Sequence, residues 1–208
     1  MVVKIKEMSP KEKYIEAAKF IKHLSFKPAF IEKYLGKEAR AEYEKEDRKG
    51  LKSIPENTSY QEKYEIILSY IIWNGFSFDF VRQRMGEDGL NQFMRTDVDL
   101  VKKETATPAL LLVKMIKAIS PGLAFTMTAK HLAYQFKFFS TFTVSELSRS
   151  RMIMNTPHCK LLDYPKGEEY CSFTCQKVMP LWFAEQFGIN FKPDRKDYSC
   201  TITVTPVK

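Results

Sequence analysis

The spacing of apolar residues changes along this chain from a helical period to an alternating one, and this change constrains the fold most. In residues 9–24 and 60–73, apolar side chains recur every three or four positions, which predicts amphipathic helices. In "YSCTITVTPV" (198–207) apolar residues alternate with threonines, which predicts a strand with Cys200, Ile202 and Val204 on one face. Helices that come first, followed by strands with a helix between them, predict an α+β fold.

Capping and breaking residues divide the chain into predicted elements. Ser9-Pro10 opens the first helix, Asn74-Gly75 ends the helix over 60–73, and Gly86 and Gly89 predict a turn. Helices are expected at 9–24, after Pro28, at 37–49, at 60–73, from near Leu90, at 107–120 and at 168–188. Strands are expected around Phe136 and Phe138, around Phe142 and Val144, within 148–156 and at 198–207. We therefore predict an N-terminal helical segment, 1–60, and an α+β ligand-binding domain, 61–208. In this fold a helical layer packs on a small antiparallel sheet, with a C-terminal helix and a closing strand.

The net charge of +8 favours anionic partners. Basic residues alternate with acidic ones over residues 4–65, and no recognition motif is present, so we do not expect nucleic-acid binding. No apolar run approaches the length of a membrane span, and the first residues lack the apolar stretch of a secretory signal. We therefore expect a cytoplasmic protein whose partner is a small, anionic and partly apolar molecule.

All four cysteines lie in the last fifty residues: Cys159, Cys171, Cys175 and Cys200. On a helix over 168–188, Cys171 and Cys175 are four residues apart and share a face. With His158, the four thiols could bind zinc tetrahedrally or hold an iron–sulfur cluster. A second interpretation is a reactive thiol at Cys171 or Cys175 with His131 or His158 as its base. A third is that the cysteines are simply buried.

Other polar residues give weaker signals. His23 lies on a basic helix, where we expect it to be exposed. Glu168 and Glu169 fall in the first turn of a predicted helix, where they complement the helix dipole. Asp79, Asp97 and Asp99 have no recognisable partner spacing. The sequence contains no glycine-rich phosphate loop, nucleophile elbow or zinc-protease motif.

The C-terminal half resembles two families. The shared features are Cys159, then "KGEEYCSFTC", "EQFGINF" and "DYSCTITV". Over roughly residues 65–207 this series resembles the 4-vinyl reductase domain family of small-molecule (hydrocarbon) binding domains. It is equally similar to the L-2-amino-thiazoline-4-carboxylate hydrolase-like family. Both resemblances imply an α+β fold with a pocket between helices and sheet, and both map onto Cys159, Cys171, Cys175 and Cys200.

Three functions stay open at the level of sequence. The first is a binder of a small molecule in a pocket floored by the helix over 168–188. The second, implied by the hydrolase-like resemblance, is a thiol- or metal-dependent hydrolase of a small sulfur- and nitrogen-containing carboxylate. The third is a scaffold or interaction protein that forms a homodimer. The first two functions rest on the cysteine series, which identifies neither the ligand nor a metal.

Overall fold

The chain folds, in a computed structural model, as an α+β protein with a small four-stranded antiparallel sheet. The structure describes residues 3–104 and 108–207, without the side chains of 108–112 and 114. The α+β class predicted from the sequence is confirmed. The helices are α1 Pro10–Leu24, α2 Phe26–Asp47, α3 Tyr60–Trp73, α4 Phe76–Glu104, α5 Pro108–Ile119, α6 Pro121–Phe136, α7 Gly167–Tyr170 and α8 Met179–Phe187. The strands are β1 Thr143–Leu147, β2 Met152–Thr156, β3 Ile189–Lys196 and β4 Ser199–Pro206.

The chain divides into two compact units, which we name by their content. The helical unit comprises residues 8–97 and 161–174, and the sheet unit comprises the described parts of residues 1–7, 98–160 and 175–208. The predicted division at residue 60 stays a prediction, and the two units have other boundaries.

In the helical unit, local sequence signals account for the helix ends. Ser9 and Ser59 each form a capping box, with Glu12 and Glu62 respectively, at the start of α1 and α3. The predicted helices over 9–24 and 60–73 are confirmed, as is the turn at Asn74-Gly75.

Two glycines interrupt the long helices of this region. Gly36 in α2 (φ 88°) and Gly86 in α4 (φ 68°) adopt positive φ angles, which favour glycine. The turn predicted at Gly86 is therefore present as a break within α4 rather than as a loop. The second helix begins at Phe26 and not after Pro28, because proline is tolerated in a first turn, where its missing N–H has no helical partner.

The sheet unit is built on the strand order β1-β2-β4-β3, with every neighbouring pair antiparallel. Helices α6 and α8 pack on this sheet around an apolar core. The predicted final strand is confirmed, and Ile202 and Val204 are its buried residues. The core residues are Phe125, Ala129, Leu132, Ala133, Phe142, Val144, Met152, Met154, Met179, Phe183, Ile189, Phe191, Ile202 and Val204.

For this part of the chain one expectation was wrong, one is confirmed with a difference, and one strand was missed. The strand predicted around Phe136 and Phe138 is instead the end of α6 and a turn, because the buried residues before it follow a helical period. The helix predicted over 168–188 is present as a continuous helical segment, in which a π-helix, Cys171–Val178, lies between α7 and α8 and ends two residues before Pro180. Proline lacks the N–H that an α-helix requires at that position, which is consistent with the wider turn. Strand β3 was not predicted.

The remaining predicted elements agree with the structure in part. The strand within 148–156 is confirmed as β2, and the one at Phe142 and Val144 as β1. The helix predicted over 107–120 is present as α5, whose described part begins at Pro108, and the predicted first residue, Thr107, lies outside the described residues.

Candidate functional site

The greatest density of buried polar groups lies in the helical unit, where α1 gives way to α2. A single residue, Ser25, separates the two helices, so His23 at the end of α1 and Lys27 at the start of α2 are four residues apart. Both side chains are buried. Burial of two such groups so close together needs compensating contacts, because an uncompensated polar group in a protein interior is costly.

Lys27 is buried with only 2% of its surface exposed. Its Nζ donates to Ser77 Oγ at 2.9 Å and to the carbonyl oxygen of Asn74 at 3.3 Å. The rings of Phe78 and Phe93 lie 5.3 and 5.9 Å from the same nitrogen. Desolvation lowers the pKa of Lys27 from 10.5 to about 8, while the charges of nearby aspartates oppose this shift. The ammonium group is therefore held by neutral oxygens and ring faces.

The side chain of Asn74 connects α2 and α3. Its Nδ2 donates to Asp47 Oδ1 at 3.3 Å and to the Tyr70 carbonyl at 3.2 Å, and its Oδ1 accepts from Tyr43 Oη at 3.4 Å. Tyr70 Oη also donates to Asp47 Oδ2 at 2.8 Å. We call these residues, together with Lys27 and Ser77, the Asn74 network. It links the end of α2 to the α3–α4 connection through hydrogen bonds.

The electrostatics of the Asn74 network follow from partial burial of Asp47. Desolvation raises the pKa of the Asp47 carboxyl above its ordinary value, although Tyr70, Lys27 and Asn74 counteract the shift. Burial and the neighbouring Asp47 charge raise the pKa of Tyr70 to about 12 and also raise that of Tyr43. Each carboxylate oxygen of Asp47 accepts one hydrogen bond within the protein, so each keeps a second acceptor position.

His23 and Asp97 form a second buried pair. His23 Nε2 lies 2.6 Å from Asp97 Oδ1, and the rings of Phe20 and Phe26 lie beside the imidazole. The expectation that His23 is exposed was wrong, because the helix turns this side chain toward α4. The Asp97 charge also acts on Lys27, which connects this pair electrostatically with the Asn74 network.

A cavity of about 180 Å³ adjoins the Asn74 network. Its polar lining residues are Asp47, Asn74, Tyr43 and Tyr70, and its apolar ones are Ile21, Leu24 and Pro28. Ser25 completes the lining. The cavity therefore combines a carboxylate, two aromatic rings and an aliphatic surface at the scale of a small molecule.

The predicted cysteine site is distributed over both units. Cys171 belongs to the helical unit, whereas Cys159, Cys175 and Cys200 belong to the sheet unit, and the division falls between Thr174 and Cys175. None of the four cysteines, all of which lie in the described part of the chain, forms a disulfide. Cys171 is buried, and the other three are half-buried.

Within the sheet unit, one end of the sheet collects several of the predicted residues. The Cys159 N–H donates to the Tyr198 carbonyl at 2.6 Å, and the His158 ring stacks on the Tyr198 ring at 5.4 Å. Cys200 follows two residues later in β4, where it lies opposite Thr156 of β2. Cys175 and Cys200 both pack against the apolar core. His131 is exposed on α6.

Across residues 3–104 and 108–207, no group of three or more His, Cys, Asp or Glu side chains has an arrangement that could hold a metal ion. The metal interpretation of Cys159, Cys171, Cys175, Cys200 and His158 stays a prediction. The same holds for a reactive thiol at Cys171 or Cys175 with His131 as its base. The packing of Cys175 and Cys200 against the core is what the third interpretation, buried cysteines, expects.

Sequence reasoning missed the Asn74 network and the His23–Asp97 pair. A signal was present for Lys27, which lies three and four residues before Phe30 and Ile31 on the buried face of α2. A charged residue at an apolar helical position indicates a buried ion. Its partners could not be read from the sequence, because Asn74 and Ser77 are 47 and 50 residues away along the chain.

Comparisons with known proteins return no relative. Neither a family model, nor a curated protein, nor a solved structure matches this chain. The resemblance to the 4-vinyl reductase and hydrolase-like families therefore stays a prediction that rests on the cysteine series. Of the helices that the structure describes, none has both the length and the apolar character needed to cross a bilayer.

Proposed function

We propose that the protein binds a small molecule and that the cavity beside the Asn74 network is its binding site. One observation carries this proposal: a partly desolvated carboxylate, Asp47, lines a cavity that is also lined by the aliphatic residues Ile21, Leu24 and Pro28. A few placed polar groups within a mainly apolar lining are typical of ligand sites.

The chemistry of the lining favours an amine or another hydrogen-bond donor over an anion. Asp47 has two acceptor positions to offer, and the rings of Tyr43 and Tyr70 can contact a cation through their faces. An anion placed there would face the Asp47 carboxylate. The proposed ligand is therefore a small molecule with an ammonium or amine group at one end and an alkyl group that contacts Ile21, Leu24 and Pro28. This differs from the anionic ligand that the net charge favours.

The proposal is tested with three probes that share one alkyl chain: n-butylammonium, butanol and butyrate. Binding to the full chain is followed by two-dimensional NMR with an isotope-labelled protein. We expect n-butylammonium to bind with a Kd on the order of 1 mM, since a ligand of this size provides roughly 4 kcal/mol. Butyrate should not shift the resonances of Tyr43 and Tyr70.

The decisive variant is Asp47→Asn, which removes the charge and keeps the side-chain size. It should weaken n-butylammonium binding about tenfold, which corresponds to ~1.4 kcal/mol. Asp88→Asn is the matched control, because Asp88 is an exposed carboxylate on α4 outside the cavity lining. Equal affinity in both variants, or equal shifts with butyrate and n-butylammonium, would contradict the proposal.

A further inference from the structure

The connection between α5 and α6 exposes apolar side chains that a surface helix normally hides. These are Met115 (67% exposed), Ile119 (88%), Leu123 (51%) and Met127 (41%). Met115 and Ile119 are one turn apart at the end of α5, and Leu123 and Met127 are one turn apart at the start of α6. Only Ser120 lies between the two helices. We call these four residues the α5–α6 corner.

Helix α6 has apolar residues on two faces. Phe125, Ala129 and Leu132 are buried in the core of the sheet unit. The outer positions, which are usually polar in a surface helix, instead hold Leu123 and Met127. Packing in the core therefore explains why the inner face of α6 is apolar. It does not explain the apolar residues on the outer face.

The charge of this region has one sign. No aspartate or glutamate occurs between Glu104 and Glu146, although the chain contains 25 acidic residues in all. The same interval contains four lysines, at positions 114, 117, 130 and 137, of which Lys137 is buried in an ion pair with Glu7. Lys130 is exposed on α6, and it lies three residues after Met127 and thus on the same face. Lys117, near the end of α5, is exposed as well.

An exposed apolar stripe in a stretch of chain whose only charges are basic is complementary to an anionic lipid surface. Apolar side chains can enter the interface, while lysine ammonium groups contact the headgroups. A second copy of this chain would bring two basic segments together, and like charges oppose such an interface. We propose that the α5–α6 corner docks the protein on the surface of a membrane that contains anionic lipid.

The test uses the full chain and sedimentation with vesicles of two compositions. One consists of phosphatidylcholine, and the other is an equimolar mixture of phosphatidylcholine and phosphatidylserine. We expect at least about tenfold tighter binding to the anionic vesicles, which weakens as salt is added because screening reduces the attraction. Equal binding to both vesicles, or binding to neither, would overturn the proposal.

Two variants locate the docking surface. Ile119→Glu should weaken binding to the anionic vesicles about tenfold, because it removes an inserting side chain and adds a negative charge. Leu51→Glu is the matched control: it makes the same charge change at another exposed apolar residue, 54% exposed, in the connection after α2. It should retain the affinity of the unmodified chain apart from a small charge effect. Equal losses in the two variants would overturn the proposal.

A third measurement distinguishes lipid from protein partners at the same surface. The oligomeric state of the unmodified chain and of Ile119→Glu is compared by analytical ultracentrifugation without lipid. A monomer in both cases is the result we expect. A dimer that dissociates on Ile119→Glu would assign the α5–α6 corner to a second copy and overturn the lipid proposal. Far-ultraviolet circular dichroism of both Glu variants verifies that they fold.

Discussion

Among the side chains that the structure describes, the helical unit and the sheet unit each bury one lysine, and the two ammonium groups are compensated differently. Lys137, at the end of α6 in the sheet unit, contacts the carboxylate of Glu7, the carbonyl oxygen of Phe142 and the Phe142 ring. Lys27 in the helical unit contacts a hydroxyl, a carbonyl and two rings. The first lysine therefore has a negatively charged partner at its nitrogen, and the second has neutral oxygens.

This difference separates a structural ion pair from a candidate functional group. Glu7 is exposed, so the Lys137 pair is solvated on one side and serves to hold residue 7 against α6. Lys27 is an ion kept in an interior that also contains Asp47, His23 and Asp97. Buried groups with shifted pKa values occur preferentially at functional sites. This is consistent with our proposal of a binding site in the helical unit.

The largest expected effect comes from breaking the buried pair of the helical unit. His23→Phe leaves the Asp97 carboxylate buried without its histidine, which should lower the free energy of unfolding by about 3–5 kcal/mol. The double variant His23→Phe/Asp97→Leu should recover most of this loss. Chemical denaturation measures both. A loss below about 1 kcal/mol in the single variant would mean that the pair is as weak as a surface ion pair.

The pH dependence of stability is the next largest effect. The pKa of Lys27 in the folded state, about 8, lies below its unfolded value of 10.5, so the unfolded chain binds more protons between these values. The contribution of Lys27 to folding stability should therefore rise by about 2 kcal/mol from pH 8 to pH 10, at up to ~1.36 kcal/mol per unit. Tyr43, Tyr64, Tyr70 and Tyr164 oppose this rise increasingly above pH 9, because burial raises their pKa values and unfolded tyrosines ionise first.

Urea denaturation at several pH values checks this dependence. Lys27→Met is the control, and the unmodified chain should gain about 2 kcal/mol of stability relative to this variant between pH 8 and pH 10. A rise of the same size in Lys27→Met would assign the effect to other groups.

The two buried lysines should respond to the same substitution with opposite signs. Lys27→Met removes a desolvated charge and should raise the free energy of unfolding at pH 7 by about 1–2 kcal/mol. Ser77 Oγ keeps its own hydrogen bond to the Asn74 carbonyl at 2.6 Å, so no new buried polar group is left without a partner. Lys137→Met removes an ion pair with an exposed partner and should lower it by about 0.5–1 kcal/mol. Thermal and chemical denaturation measure the stability of both variants. Changes of the same sign in Lys27→Met and Lys137→Met would contradict the difference between the two buried lysines.

Effects of about the size expected for Lys137→Met are expected at the surface of the helical unit. Ser9→Ala and Ser59→Ala each remove a capping box and should lower the free energy of unfolding by about 1 kcal/mol. Ser53→Ala, in the exposed connection after α2, serves as the control and should change stability by less than ~0.5 kcal/mol. If a capping variant were as damaging as His23→Phe, stability would not be concentrated in the interior contacts of this unit.

The sequence predicted those elements whose signals are local. The capping serines and the Asn74-Gly75 step gave the ends of α1 and α3, and alternation gave β4. Strand β3 was not predicted, because Pro193 and several charged residues interrupt the alternation of apolar and polar residues in it. It lies at the edge of the sheet, where proline is tolerated.

The candidate site could be predicted far less well than the fold. Cysteines attract attention in a sequence because their chemistry is distinctive, whereas Lys27 and Asp47 resemble the many charged residues around them. Their roles follow from burial and from partners distant along the chain, such as Asn74 for Lys27 and Asp97 for His23. Only the apolar positions beside Lys27 hinted at its burial.

The most direct test of the central claim is an NMR titration of Lys27 in protein labelled with ¹³C at lysine Cε. The Lys27→Arg variant identifies its resonance. An ammonium group that is buried without a contacting carboxylate should titrate with a pKa near 8, well below the value of 10.5 for an exposed lysine. A midpoint near 10.5 would show that the Lys27 charge is solvated or fully compensated, and it would remove the distinction between the two buried lysines.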